Sequence, residues 1–229
     1  MNLYQLLWEG RKKDEEEIKT PKKGVALFFE ILLREFWPLI KLNLIFLLAC
    51  LPVVTIGPAL GAMNAVTMTM VQDRPSEVWH DFWQAFRRNF KIFFVCGLWG
   101  LVIFLLPCAA MMAYFKLASI SLVFYFFFTL AVTAMLILAL SWVYLFPLVN
   151  TIALPLPVLI KNSIFLGIVN LKHSLVAFLL AVLLCGGMLL CIPTTLPFVF
   201  LSAFSFPTFI ASFAAWSGIR KYVSQEAQH

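Results

Sequence analysis

Between Ile92 and Ile219 the chain carries only three formally charged side chains, Lys116, Lys161 and Lys172, and no aspartate or glutamate. A water-exposed globule needs a charged outer shell, and a run of this length cannot provide one. A bilayer lifts that requirement, because lipid tails solvate Leu, Phe and Val readily. Backbone N–H and C=O groups in lipid must then be satisfied within each segment, which calls for helices. Over all 229 residues 62% are hydrophobic and 12% charged, with a mean hydropathy of +0.95. The reading is an all-α, polytopic transmembrane helical bundle with interfacial amphipathic helices, and the lipid bilayer is its first partner.

The formal charge of +6 does not point to nucleic acid. The basic residues flank apolar segments and form no long patch with a recognition motif. They fit instead the bias that keeps Lys and Arg on the cytoplasmic side, in contact with anionic headgroups. Met1 to Lys23 is mixed in charge, with Arg11, Lys12 and Lys13 followed by Asp14, Glu15, Glu16 and Glu17. It does not read as a cleavable signal peptide, since the first long apolar run begins near Val25. The first span is expected to act as a signal anchor. The five cysteines, Cys50, Cys96, Cys108, Cys185 and Cys191, include no CxxC pair and support no zinc or redox motif.

Three divisions are expected: a mixed-charge segment over 1–24, one transmembrane domain over 25–221, and a short tail over 222–229. Asn2 to Glu9 predicts a short amphipathic turn and Arg11 to Lys23 a linker. Val25 to Trp37 reads as an interfacial elbow with Glu30 and Arg34 spaced to pair, and Pro38 permits a bend. Leu39 to Ile56 is the first span, interrupted by Gly57-Pro58, and Ala59 to Val71 is a shorter segment rich in small residues. Ser76 is a candidate N-cap for a helix over Glu77 to Lys91. There Trp79, Phe82, Trp83, Phe86 and Phe90 share one face, with His80, Asp81, Gln84, Arg87, Arg88 and Lys91 opposite. Such a helix suits the headgroup region, a docking surface or plain packing. Further spans are expected at Ile92 to Phe115, Ile120 to Phe146, Leu175 to Ile192 and Phe198 to Ser217. Pro147 ends or kinks the second of these, Leu148 to Asn170 is less regular, and Pro207 breaks the last. Asn89-Phe90-Lys91 and Asn170-Leu171-Lys172 hint at a duplicated unit.

With Gly57-Pro58 as a hairpin tip there are six spans and both termini lie on one side. That side then holds 16 of the basic residues and the other only Lys116. Treating Leu39 to Val71 as one bent span gives five spans and a 9 to 8 division. The charge bias selects six, with both termini cytoplasmic.

Chemistry needs polar groups brought together, and the chain has few. No HExxH, GxSxG, Walker or GxGxxG pattern occurs, and the expected spans contain no carboxylate for a protease or a proton relay. No catalytic residue, metal ligand or cofactor site is expected. Asn43, Asn64, Thr67, Thr69, Ser141, Asn150 and Thr151 each suit a solute path or a helix-to-helix hydrogen bond.

The run Cys50 to Met63 (CLPVVTIGPALGAM), then Asp81 to Phe86 (DFWQAF), then Arg88-Asn89-Phe90-Lys91, resembles the YesL-like family of bacterial membrane proteins of unknown function. Leu145-Phe146-Pro147-Leu148 and Lys161-Asn162 resemble its second half, so that the resemblance covers Phe29 to Arg220. Thr151 to Leu171 is more apolar than the charged amphipathic helix usual there. The candidate structural or functional residues are Gly57, Pro58, Asp81, Phe82, Phe86, Arg88, Asn89 and Pro147, which lie in the stretches that carry the resemblance, and Asn64, a polar group beside the interrupted first hairpin. The resemblance implies a bacterial cytoplasmic membrane protein with an accessory or scaffold role in carbohydrate uptake, alongside sugar ABC transporter subunits. The alternative is a small channel or carrier for a neutral solute such as a sugar.

Overall fold

The structure, a computed structural model, describes residues 24–118, 121–152, 154–190 and 202–226, and among these every regular element is helical. The chain divides into two units, residues 1–35 and 36–229. The described part of the first is α1, Val25–Arg34. Its Arg34 donates to the Glu35 carboxylate at 3.0 Å.

The second unit runs α2 (Phe36–Ala49), a 3₁₀ turn (Val53–Thr55), α3 (Ile56–Val71), α4 (Val78–Arg88), α5 (Phe90–Leu117), α6 (Val123–Thr151), α7 (Leu156–Val169), α8 (Leu171–Leu190) and α9 (Ser205–Glu226). Among the described residues three helices are long and apolar enough to cross a membrane: Val53–Val71, α5 and α6. The bent pair α7 and Ser174–Leu184, turned by 94°, makes a fourth if it counts as one span. At 1.5 Å per residue α5 and α6 are each about 40 Å long, more than a ~30 Å hydrocarbon core. Their outward faces are apolar, with Leu98, Leu101, Leu105, Phe126 and Leu130 exposed, as lipid requires. By contrast α2 has 14 residues, about 21 Å, short for a crossing on its own.

The centre of the bundle is α3. In its apolar stretch 56% of residues are buried, against 22% for α5 and 11% for α6. Small residues cause this, because Gly57, Ala59, Gly61 and Ala62 let neighbours come close. A Cβ on Gly57 would stand 2.9 Å from the Gly97 Cα, and one on Gly61 would sit 2.2 Å from the Phe93 ring. Pairing 57 with 97 and 61 with 93 makes α3 and α5 antiparallel. Gly100 against Trp142, Phe93 against Phe146 and Phe115 against Phe128 make α5 and α6 antiparallel in turn. The α3–α4–α5 connection and the α6–α7 connection therefore share one end of the bundle. Lys116 sits at the other.

Several sequence expectations change. Gly57 and Pro58 are not the hairpin tip: they form the first turn of α3, where proline's missing N–H is no loss. The tip lies at Leu51 to Thr55, pinned by the Thr55 hydroxyl donating to the Ala49 and Pro52 carbonyls. Pro147 neither ends nor breaks α6, which continues to Thr151. The region after it is regular, since α7 returns along α6 with the Gly167 backbone against Ser141. The aromatic helix stops at Arg88, Asn89 forms a one-residue break, and Phe90 and Lys91 begin α5. Asn170 makes the same break between α7 and α8, with closely similar backbone angles, so the repeated Asn has a repeated geometry. Its N-cap is Glu77 rather than Ser76. Pro207 lies in the first turn of α9, and the helical run is interrupted just before it, at Ala203 and Phe204. The expected segments at 1–23 and the turn at Pro193 to Pro197 lie outside the described residues. Cys50, Cys96 and Cys108 are free thiols, and Cys191 also lies outside.

Candidate functional site

Asn64 and Thr67 are three apart on α3, so they point from one face. Both are buried, and a buried amide or hydroxyl must find a partner. The Asn64 Nδ2 donates to the Ser212 hydroxyl at 3.0 Å. Ser212 and Thr67 hydroxyls lie 2.7 Å apart, and Thr67 can also donate to the Asn64 carbonyl at 3.0 Å. From α6, the Asn150 Nδ2 donates to the Asn64 Oδ1 at 3.0 Å and to the Gly61 carbonyl at 3.3 Å. The network joins α3, α6 and α9: Asn150 donates to Asn64 and Asn64 to Ser212, and either hydroxyl of the Ser212–Thr67 pair can be the donor. A second buried amide plays a plainer part: the Asn43 Oδ1 accepts the Phe204 and Ser205 N–H groups at 3.0 and 3.1 Å. It thereby satisfies donors that the start of α9 leaves open.

Two cavities meet the Asn64–Asn150 pair. On one side is an apolar cavity of about 280 Å³ walled by Phe104, Trp142, Phe146, Pro147 and Phe178, with Asn64 among its lining residues. On the other is a polar cleft of about 440 Å³ at the α3–α4 end, lined by Thr69, Gln72, Arg74, Asp81, Gln84, Arg88, Asn89 and Asn150. The Asp81 carboxylate accepts the Glu77 N–H at 3.0 Å, so it closes the start of its own helix. The dipole favours a carboxylate at that position.

The aromatic face of α4 divides in two. Phe82 is fully buried, whereas Trp79 is 61% exposed, and Phe86 is half-buried. Trp79, Trp83, Phe86, Phe90 and Phe94 meet in succession with centroids 6.0, 5.3, 5.4 and 6.3 Å apart, the first three contacts edge-to-face and the last stacked. The series crosses the Asn89 break and ties α4 to α5.

Of the residues singled out in the sequence, the cleft gathers Asp81, Arg88 and Asn89, and the network joins Asn64 to it through Asn150. Pro147 lines the apolar cavity. Phe82 and Phe86 hold α4 in place. Gly57 and Pro58 lie at the other end of α3, away from the cleft. Arg74, Gln72 and Ser212 were not anticipated as site residues, whereas Gln84 falls on the polar face of α4 that the spacing defines. A serine inside an apolar run carries no signal of its own, although the Asn64/Thr67 spacing implied a polar partner on some other helix. Among the described residues no group of three His, Cys, Asp or Glu is placed to hold a metal ion.

Apolar helices of crossing length around a small-residue core define the class, an all-α membrane protein. Residues 39–109, about a third of the chain, match the family model described as "Protein of unknown function, DUF624". That stretch contains α3, α4 and most of α2 and α5, and hence the Asn64 end of the network and nearly all of the polar cleft. No curated protein and no solved structure matches the chain.

Proposed function

We propose that the chain is a non-enzymatic, multi-pass component of a bacterial cytoplasmic membrane, serving carbohydrate uptake as an accessory or scaffold to a sugar ABC importer. The observation that carries this reading is α4. Phe82 and Ala85 bury one side of it in the bundle, while Trp79, His80, Arg87 and Arg88 face outward. A helix fixed at the end of a bundle, with a large exposed aromatic among cations, suits a protein partner. The YesL-like resemblance, within which the matched stretch lies, supplies the carbohydrate context. Affinity capture of the tagged chain in mild detergent tests the reading. Recovery of importer subunits, lost on Trp79→Ala, is expected. Their absence across several detergents would remove its support.

The topology that goes with it has six crossings: α2 and Val53–Val71 as a hairpin, then α5, α6, the bent α7–α8 pair, and α9, with both termini cytoplasmic. Charge supports it, since Arg74, Arg87, Arg88 and Lys91 lie at the end opposite Lys116. In a cysteine-free background, Glu77→Cys should be shielded from a membrane-impermeant thiol reagent in intact cells, and Ser121→Cys labelled. Equal labelling of both would refute this arrangement.

A second reading, a small carrier for a neutral solute, is favoured by one feature: a hydrogen-bonded amide pair standing between an apolar cavity and a polar cleft. Proteoliposomes decide it. Sugar flux no faster than in protein-free vesicles would exclude it.

A further inference from the structure

The polar cleft carries an excess of positive charge. Arg74 and Arg88 are exposed at its rim, and neither has an ion-pair partner among the described residues. The carboxylate that lines it, Asp81, is engaged with the Glu77 N–H. Asn150 directs both amide hydrogens into the bundle, while Gln84 and Asn89 add neutral amides. Unpaired guanidinium groups favour phosphate oxygens, which they hold through two parallel N–H bonds. The volume of about 440 Å³ is in the range of small-ligand sites. The cleft also lies beside the aromatic series of α4, and such side chains favour the headgroup level of a bilayer.

We propose that this cleft binds the phosphate group of an organic ligand, either the phosphodiester of an anionic membrane lipid or the phosphate of a soluble ester. Arg74 and Arg88 hold the phosphate oxygens, and Gln84 and Asn89 donate to the ligand's remaining acceptors. Asp81 opposes the ligand's charge and so limits its affinity. A neutral sugar, whose hydroxyls both donate and accept, gains no comparable charge attraction from the two guanidinium groups.

The test uses the full chain in a neutral detergent and in nanodiscs. Inorganic phosphate is titrated while thermal unfolding is followed, and retained phosphatidylglycerol is measured by mass spectrometry against a phosphatidylcholine control. R74Q and R88Q should each weaken binding about tenfold, the factor that ~1.4 kcal/mol represents. R87Q, exposed on the same helix but outside the cleft, should leave it unchanged. D81N should tighten it and so reads the site with both arginines in place. Retained phosphatidylglycerol without a response to inorganic phosphate identifies a lipid headgroup, and the reverse a soluble ester. The proposal is overturned if neither probe binds, if R87Q loses as much as R74Q, or if D81N weakens binding. None of these outcomes depends on whether an importer is captured.

Discussion

Gly57→Val should be among the most damaging single substitutions in the chain. The Cβ it adds meets backbone: the Gly97 Cα at 2.9 Å and the Phe93 carbonyl oxygen at 3.0 Å. No side chain can swing away, so α3 and α5 must separate. Overpacking that moves backbone costs about 3 kcal/mol or more. In a protein of this size that lowers the thermal midpoint by roughly 6 to 12 °C. Gly186→Val is the matched control, because a Cβ there meets nothing within 4 Å. Its effect should stay within about 0.5 kcal/mol. Unfolding of both variants in mild detergent, followed by fluorescence, gives the comparison. A Gly57→Val midpoint equal to that of Gly186→Val would mean that α3 and α5 do not meet at these glycines.

The contact also explains why Gly57 was misread in the sequence. Glycine followed by proline is a strong turn signal, and nothing local distinguishes it from a first helical turn in which glycine permits close approach. That distinction depends on Gly97, forty residues away. Elsewhere local signals were enough. The charge-poor stretch after Ile92 points to the membrane class, and the three-and-four spacing of the aromatics from Trp79 to Phe90 points to α4. Pro147 failed for the reverse reason. A proline inside a helix is usually a break in water, but in an apolar bundle neighbouring groups re-satisfy the freed carbonyl. The carbonyl that Pro147 leaves without its helical donor is that of Val143, four residues earlier, and α6 runs on to Thr151 regardless. The cleft was legible only in part. Asp81, Arg88 and Asn89 are close in sequence, whereas Arg74 reaches it from the α3–α4 connection and Asn150 from α6, and no spacing rule links them. Ser212 is further still, and only tertiary packing brings it to Asn64.

Phe82→Asp should disrupt the protein more than any other change on α4. The five aromatics look equivalent in sequence. Their burial separates them, because Phe82 is 0% exposed whereas Phe86 is half-buried and Arg87 exposed. Removing a buried phenyl ring costs about 3–5 kcal/mol. An unpaired carboxylate in its place adds a desolvation penalty of several kcal/mol more. The sum is comparable to the ~5–15 kcal/mol that holds a typical domain together, so Phe82→Asp should fail to accumulate. Phe86→Asp should fold with a lowered midpoint, since water can reach part of its carboxylate. Arg87→Ala should stay within about 0.5 kcal/mol, as for most surface changes. Membrane-fraction yield and thermal midpoint together test this order. Because outright loss of protein is uninformative by itself, Phe82→Leu serves as the graded variant. It keeps an apolar side chain, should accumulate, and should still lose more stability than Arg87→Ala. Wild-type stability in both Phe82 variants would mean that α4 is not anchored through Phe82, and the cleft it borders would then lack a fixed wall.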